Sequence, residues 1–277
     1  MPLAPTVLEE VDCGAFMRWK VQYATEADDR VPAYLLVPKG NKSGEAVFCH
    51  HQHAGQYELG KSEVVGIAGD PNQAVGPELA RRGFVVLAPD TVGFEERNWS
   101  DRPGFAQYHE LTSRIVLGQT LLAKVLHDVS VGVDFLAQCD MVDPDRIGFL
   151  GHSYGGRMAL WAPAFDARIR ASVSNCGCVG YRASLERGVG IQAEFCVPGI
   201  VDIADIADVV RLIAPRALYI SATDRDKYSR DAREIAEAAS DAFPASRFQL
   251  KVWAGGHVFT PPMRDHAYRF LSEMLAS

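Results

Sequence analysis

The 277-residue chain has no apolar run approaching the ~20 residues that cross a bilayer, so no transmembrane helix is expected. It has no basic excess. Lys and Arg number 28 against 35 Asp and Glu, a net charge of −7. A nucleic-acid or anionic-membrane surface needs clustered cations, so neither partner is expected. Paired cysteine spacing is missing too. The six cysteines, at positions 13, 49, 139, 176, 178 and 196, are scattered through strand-like and core-like segments. That pattern fits reduced, mostly buried thiols. The opening stretch MPLAPTVLEEV lacks the basic-then-apolar layout of a secretory signal, and a cytoplasmic location is the expectation. Repeats, low-complexity tracts and long Pro/Ser linkers are absent as well, so residues 1–277 are expected to form one domain.

What the chain does contain is enough apolar residue for a sizeable core, 48% hydrophobic with 23% charged. The apolar residues are arranged as strands alternating with helices. RWKVQYAT and VPAYLLVPKG read as an antiparallel pair about the turn EADDR. Six further apolar strands follow: EAVFCHH, FVVLAPD, RIGFLGHS, IRASVSNCG, RALYISATD and FQLKVWA. Between them lie amphipathic stretches, including DPNQAVGPELARRG closed by Gly83, YGGRMALWAPAF, and a last helix at DHAYRFLSEMLA. Apolar positions 115, 116, 121, 122, 125, 126, 129 and 133 predict one long helix over residues 113–138. This alternation predicts an α/β fold, a mostly parallel central sheet of about eight strands with helices on both faces. Two longer excursions, residues 91–112 and 176–210, are the places for a lid or pocket wall.

Chemistry concentrates at three points. Gly151-His152-Ser153-Tyr154-Gly155 is a G-x-S-x-G that follows a strand and opens a helix. Glycines are needed there because the strand-to-helix turn is too tight for bulk and leaves the serine oxygen exposed above the sheet. After Ser153 only two histidines remain. His257 lies in the glycine-flanked loop VWAGGHVF, where a general base can be presented to the serine; His266 lies within the last helix. An acid is expected after the strand RALYIS, and ATDRDKYS offers Asp224 and Asp226, between which spacing does not choose. The third point is FCHHQHAGQ, residues 48–56. His51 and His53 share one side of a strand, a spacing that suggests zinc. They supply at most two ligands, and His50 points the other way, whereas zinc takes three or four. No metal or other cofactor is expected.

The stretches VPAYLLVP, HQHAGQYELGKSE, GFVVLAPDTVGFEER, GHSYGGRMAL, IADVVRLIAPRALYI and GGHVF together resemble the dienelactone hydrolase-like and acetyl xylan esterase-like branch of the α/β-hydrolases, from about Val21 to the last helix. The resemblance implies a cofactor-free serine esterase or related acyl hydrolase. By that likeness the acid loop SATDRDKYS favours Asp226, with Asp224 the runner-up. Relatives that cleave dienelactones use a cysteine nucleophile, and this chain has Ser153 in its place. The oxyanion donors would be the backbone N–H of Tyr154 and that of Gln52 or His53. His51, Phe94, Trp99 and Tyr108 are the candidate substrate-facing side chains, and Arg97 or Arg102 in the same excursion could meet a polar group. Glu194 lies in the second excursion, where an acid is ordinarily solvated.

The expected activity is hydrolysis of a small-molecule carboxylic ester. An amidase or C–C hydrolase on the same triad, a zinc hydrolase at HHQH and a non-catalytic binding protein are the rivals. Nothing in the sequence indicates an oligomer.

Overall fold

In the computed structural model, which describes residues 2–40, 44–186 and 188–276, valine, tyrosine, phenylalanine and leucine runs form one nine-stranded sheet. The strands are β1 (Thr6–Asp12), β2 (Phe16–Glu26), β3 (Asp29–Pro38), β4 (Ala46–His50), β5 (Val85–Pro89), β6 (Ile147–His152), β7 (Ile169–Asn175), β8 (Ala217–Thr223) and β9 (Phe248–Trp253). Their spatial order is β1-β2-β3-β5-β4-β6-β7-β8-β9. β1 to β3 form an antiparallel meander joined antiparallel to β5, and every later pairing is parallel. β4, β5 and β6 are buried along their whole length, as expected where helices cover both faces.

One core forms against the helices Leu121–Ala137, Tyr154–Phe165, Ile206–Arg211 and Ala232–Ala239. The other forms against Val75–Arg81 and Pro261–Leu275. Among the described residues, no helix is long and apolar enough to cross a membrane.

Two features differ from the sequence reading. The ninth strand is β1, which lies on the sheet edge with no buried residue and so carries no alternation to betray it. The long helix over residues 113–138 is two helices, Phe105–Val116 and Leu121–Ala137. Between them Gly118 adopts φ +73°, and the Thr120 hydroxyl accepts from the Ala123 N–H at 3.1 Å, capping a fresh start. Ile115 and Val116, which extended the apparent apolar stripe, are exposed.

The first excursion is tied down by a buried ion cluster. Lys61, fully buried, donates to Asp90 Oδ2 and Glu95 Oε1 at 2.6 Å each and contacts Glu96 at 2.5 Å. Glu95 also accepts from the Ser62 N–H and hydroxyl at 3.0 and 2.8 Å. This network clamps the chain after β5 to the turn that follows the histidine-rich loop. Replacing Lys61 with methionine strands several carboxylates without their cation. Thermal or urea unfolding should show a loss of about 3–5 kcal/mol.

Candidate active site

The candidate reactive side chains stand at the C-terminal ends of parallel strands, where open α/β sheets place their ligand crevice. Ser153 follows β6 directly, with φ +58° and ψ −113°, and the helix Tyr154–Phe165 begins at the next residue. A positive φ is strained for a residue with a side chain and survives only where its surroundings hold it. Here the glycines hold it. A Cβ on Gly151 would lie 2.2 Å from the Gly155 backbone, one on Gly155 2.2 Å from His50 O, and one on Gly156 2.3 Å from Asn175 O. Two strand ends and the elbow thus touch backbone to backbone. The Ser153 N–H donates to Asn175 O at 2.9 Å, closing the turn against β7.

His257 lies beyond β9. Its Nδ1–H donates to Asp226 Oδ1 at 3.0 Å. Asp226, beyond β8, also accepts from the Tyr228 N–H at 3.1 Å and the Ser229 hydroxyl at 2.8 Å. Burial pushes its carboxyl up, but the hydrogen bond and charge of His257, with those two donors, win and hold it below the usual carboxylate range. Asp224 is placed differently. Its carboxylate accepts from the Gly255 N–H at 2.8 Å and is half exposed, fastening the loop that carries His257. The two aspartates that spacing left open therefore have separate partners.

Ser153, Asp226 and His257 line a single pocket of about 500 Å³ together with Gln52 and His53. No hydrogen bond joins the Ser153 hydroxyl to His257 among the described residues. Gln192, Arg225, Lys227 and Tyr228 also line it, and the sequence reading had singled out none of them. Their only signal was position, in the loops after β7 and β8. His152, the residue before Ser153 in the elbow, lies beside His257 with ring centroids 4.6 Å apart and the rings tilted by 39°. Burial and the nearby His257 push its pKa down to about 3, so it is neutral, and its Nδ1 accepts from the Asn175 amide at 2.7 Å.

The four candidate substrate-facing side chains are not in this wall. Phe94 is fully buried, packed on His51 and His53 at centroid distances of 4.9 and 5.0 Å. Trp99 and Tyr108 point outward at 59% and 60% exposure. His51 is buried beneath the loop. Arg97 pairs with Asp29 and Asp128 at 2.6 and 2.9 Å, which leaves it shaping the excursion from within.

Every ring nitrogen of the histidine-rich stretch has a partner. His50 Nδ1–H donates to His51 O at 3.0 Å, and its Nε2 faces the Thr91 hydroxyl at 3.0 Å. His51 Nδ1–H donates to Gln52 O at 2.7 Å, and its Nε2 accepts from the Thr91 N–H at 3.2 Å. His53 Nδ1 accepts from the Gly55 N–H and its Nε2 lies 3.0 Å from the Gln107 amide, both within the loop scaffold. The nitrogens diverge into separate hydrogen bonds, so these three rings do not converge on one metal. The Gln52 amide donates to both Glu63 oxygens at 3.1 Å. Gln107 reaches across to Glu194, which is fully buried with its carboxyl pushed up by burial, contrary to the solvated acid expected there.

A mostly parallel sheet with a strained serine between strand and helix, and a histidine–aspartate pair beyond the last strands, defines an α/β-hydrolase. The dienelactone hydrolase family model matches residues 61–270, and the chain belongs to that family. It is a carboxylic ester hydrolase. YtaP of Bacillus subtilis (strain 168), described as a hydrolase, is 29% identical over 257 residues, covering 89% of this chain and 84% of its own. A Bacteroides fragilis NCTC 9343 structure described as an acetyl xylan esterase superposes with TM-score 0.75 at 15% identity, over 91% of this chain and 70% of its own. The acetyl xylan esterase of Paenibacillus sp. R4 gives TM-score 0.71 at 19% identity, over 99% and 90% of the two chains.

Desolvation lowers His50 to about 3 and His51 to about 4, so both are neutral in the fold and protonate readily only when unfolded. With folded values depressed, their stabilisation is complete above the unfolded value of about 6.5 and is lost as pH falls toward 4. Melting temperature should therefore decline between pH 6.5 and 4.5. A His51→Asn variant should show a shallower decline; an unchanged slope would remove His51 from the account.

Proposed function

We propose that this protein cleaves a small-molecule carboxylic ester through a covalent acyl-enzyme on Ser153. The observation that carries the proposal is the strained Ser153 elbow sharing one pocket with a His257 ring whose Nδ1–H is held by Asp226. Ser153 Oγ attacks the acyl carbon while His257 Nε2 takes its proton. Asp226 fixes the imidazole in the tautomer that leaves Nε2 free, and stabilises the imidazolium that forms. The negative charge on the carbonyl oxygen is met by the backbone N–H of Tyr154 and that of Gln52 or His53. The side chain of Tyr154 is wholly buried, so that residue acts through its backbone at the N-terminus of the helix Tyr154–Phe165. Protonated His257 returns its proton to the departing alcohol, then activates water to release the acid. Ester-directed names among the structural relatives support an oxygen leaving group over a nitrogen one.

A fluorophosphonate probe should label Ser153, and Ser153→Ala should abolish both labelling and hydrolysis of p-nitrophenyl esters. Asp226→Asn should cut kcat by several orders of magnitude, on the order of the ~10⁴ seen when a triad acid loses its charge. Asp224→Asn should cost far less, through loop order alone. Equal losses for the two aspartate variants would overturn the assignment, and faster cleavage of matched amides than esters would overturn the bond class.

A further inference from the structure

Behind the nucleophile helix lies a second cavity that shares no lining residue with the Ser153 pocket. Arg157 enters it. This residue stands one helical turn beyond the nucleophile, its N–H donating to Ser153 O at 2.9 Å, and is only 7% exposed. Its guanidinium lies 5.4 Å from the centroids of both the Phe195 and Tyr228 rings. Nη2 is fully buried without a hydrogen-bond partner, and the residue makes no ion pair among the described residues. Glu194 and Asp226 are the acids that influence it, and neither approaches to ion-pair distance. The Ser184 hydroxyl, 1% exposed and also unpartnered, lines the same cavity. A buried cation and a buried hydroxyl without partners are costly, and such groups are ordinarily satisfied by a counter-charge or acceptor.

The cavity is small, about 10 Å³, room for one water-sized group. Tyr181, Ile191 and Phe195 line it and also line an adjoining groove of about 300 Å³. That groove is apolar, walled by Leu185, Val197, Pro198, Ile200 and Val201. The combination has one chemical complement, an anionic head on an aliphatic chain.

We propose that the cavity and groove together bind an aliphatic monocarboxylate. One carboxylate oxygen enters the cavity to accept from Arg157 Nη2 and the Ser184 hydroxyl. The hydrocarbon chain lies along the 181–201 groove. A charged acceptor suits Arg157 better than water because it supplies the missing counter-charge as well as the hydrogen bond. The site adjoins the catalytic pocket across the Tyr228 ring but shares no lining residue with it, and the proposal does not depend on how that pocket reacts.

The test is isothermal titration of the protein with octanoate, octan-1-ol and acetate, using enzyme whose Ser153 has been blocked by a fluorophosphonate. Octanoate should bind, octanol should bind about tenfold or more weakly for want of the charge-assisted bond, and acetate should be weak for want of the chain. Arg157→Gln should weaken octanoate by a similar factor and leave octanol unchanged; Ser184→Ala should weaken octanoate to a smaller extent. Equal affinity for octanoate and octanol would overturn the proposal, as would no binding, or full octanoate affinity in Arg157→Gln. Loss of octanoate binding on blocking Ser153 would also overturn it, by placing the ligand in the catalytic pocket. If Arg157→Gln fails to fold, the head-group comparison on the unmutated protein still decides.

Discussion

Everything at the centre of this molecule depends on three backbones meeting without side chains between them. The end of β4, the elbow after β6 and the end of β7 approach so closely that a single methyl group on Gly155 or Gly156 would lie 2.2–2.3 Å from a carbonyl oxygen. That contact leaves Ser153 nowhere to go except a positive φ, and the strain is sustained by the packing of the sheet. The same approach brings the histidine-rich loop alongside the first turn of the nucleophile helix. Elbow, loop and helix N-terminus are therefore one rigid arrangement.

Around this centre the loops are fastened by buried polar groups. Lys61 gathers Asp90, Glu95 and Glu96; Thr91 offers its N–H to His51 and its hydroxyl to His50; Gln107 bridges His53 and Glu194. These contacts connect segments far apart in sequence, which stiffens the walls of a site whose pocket is open to solvent. A charge in such a place has little stabilising value by itself. Its consequence is positional, since each group is satisfied only when the loops take this one arrangement. The opening histidines belong to this scaffold, their ring nitrogens committed to loop hydrogen bonds.

Much of this was legible beforehand. The alternation of buried strands and amphipathic helices gave the layers, and Gly-x-Ser-x-Gly between strand and helix marked Ser153, because local periodicity and steric demand are written in neighbouring residues. The edge strand β1 escaped notice because it buries nothing on either face. The break at Gly118 was hidden by apolar residues that turned out to face water. Phe94 suggested a substrate wall but packs beneath the histidine loop, while Tyr228 and Gln192, which do line the pocket, carry no motif.

By itself the sequence determined the class of fold, the place of the serine elbow and the chain order in which the other candidate groups follow, since those rest on short-range geometry and on the restricted freedom of glycine-bounded turns. Only the tertiary structure gave Asp224 and Asp226 different partners. Two residues apart in the chain, they differ in which strand-end loop each meets, one bonding His257 Nδ1 and the other the Gly255 N–H. Only the folded structure, likewise, turned a glutamate from the second excursion into a buried group and left Arg157 without a counter-ion among the described residues. Burial and partnership depend on what distant segments bring to the same place, and residue order alone does not carry that information.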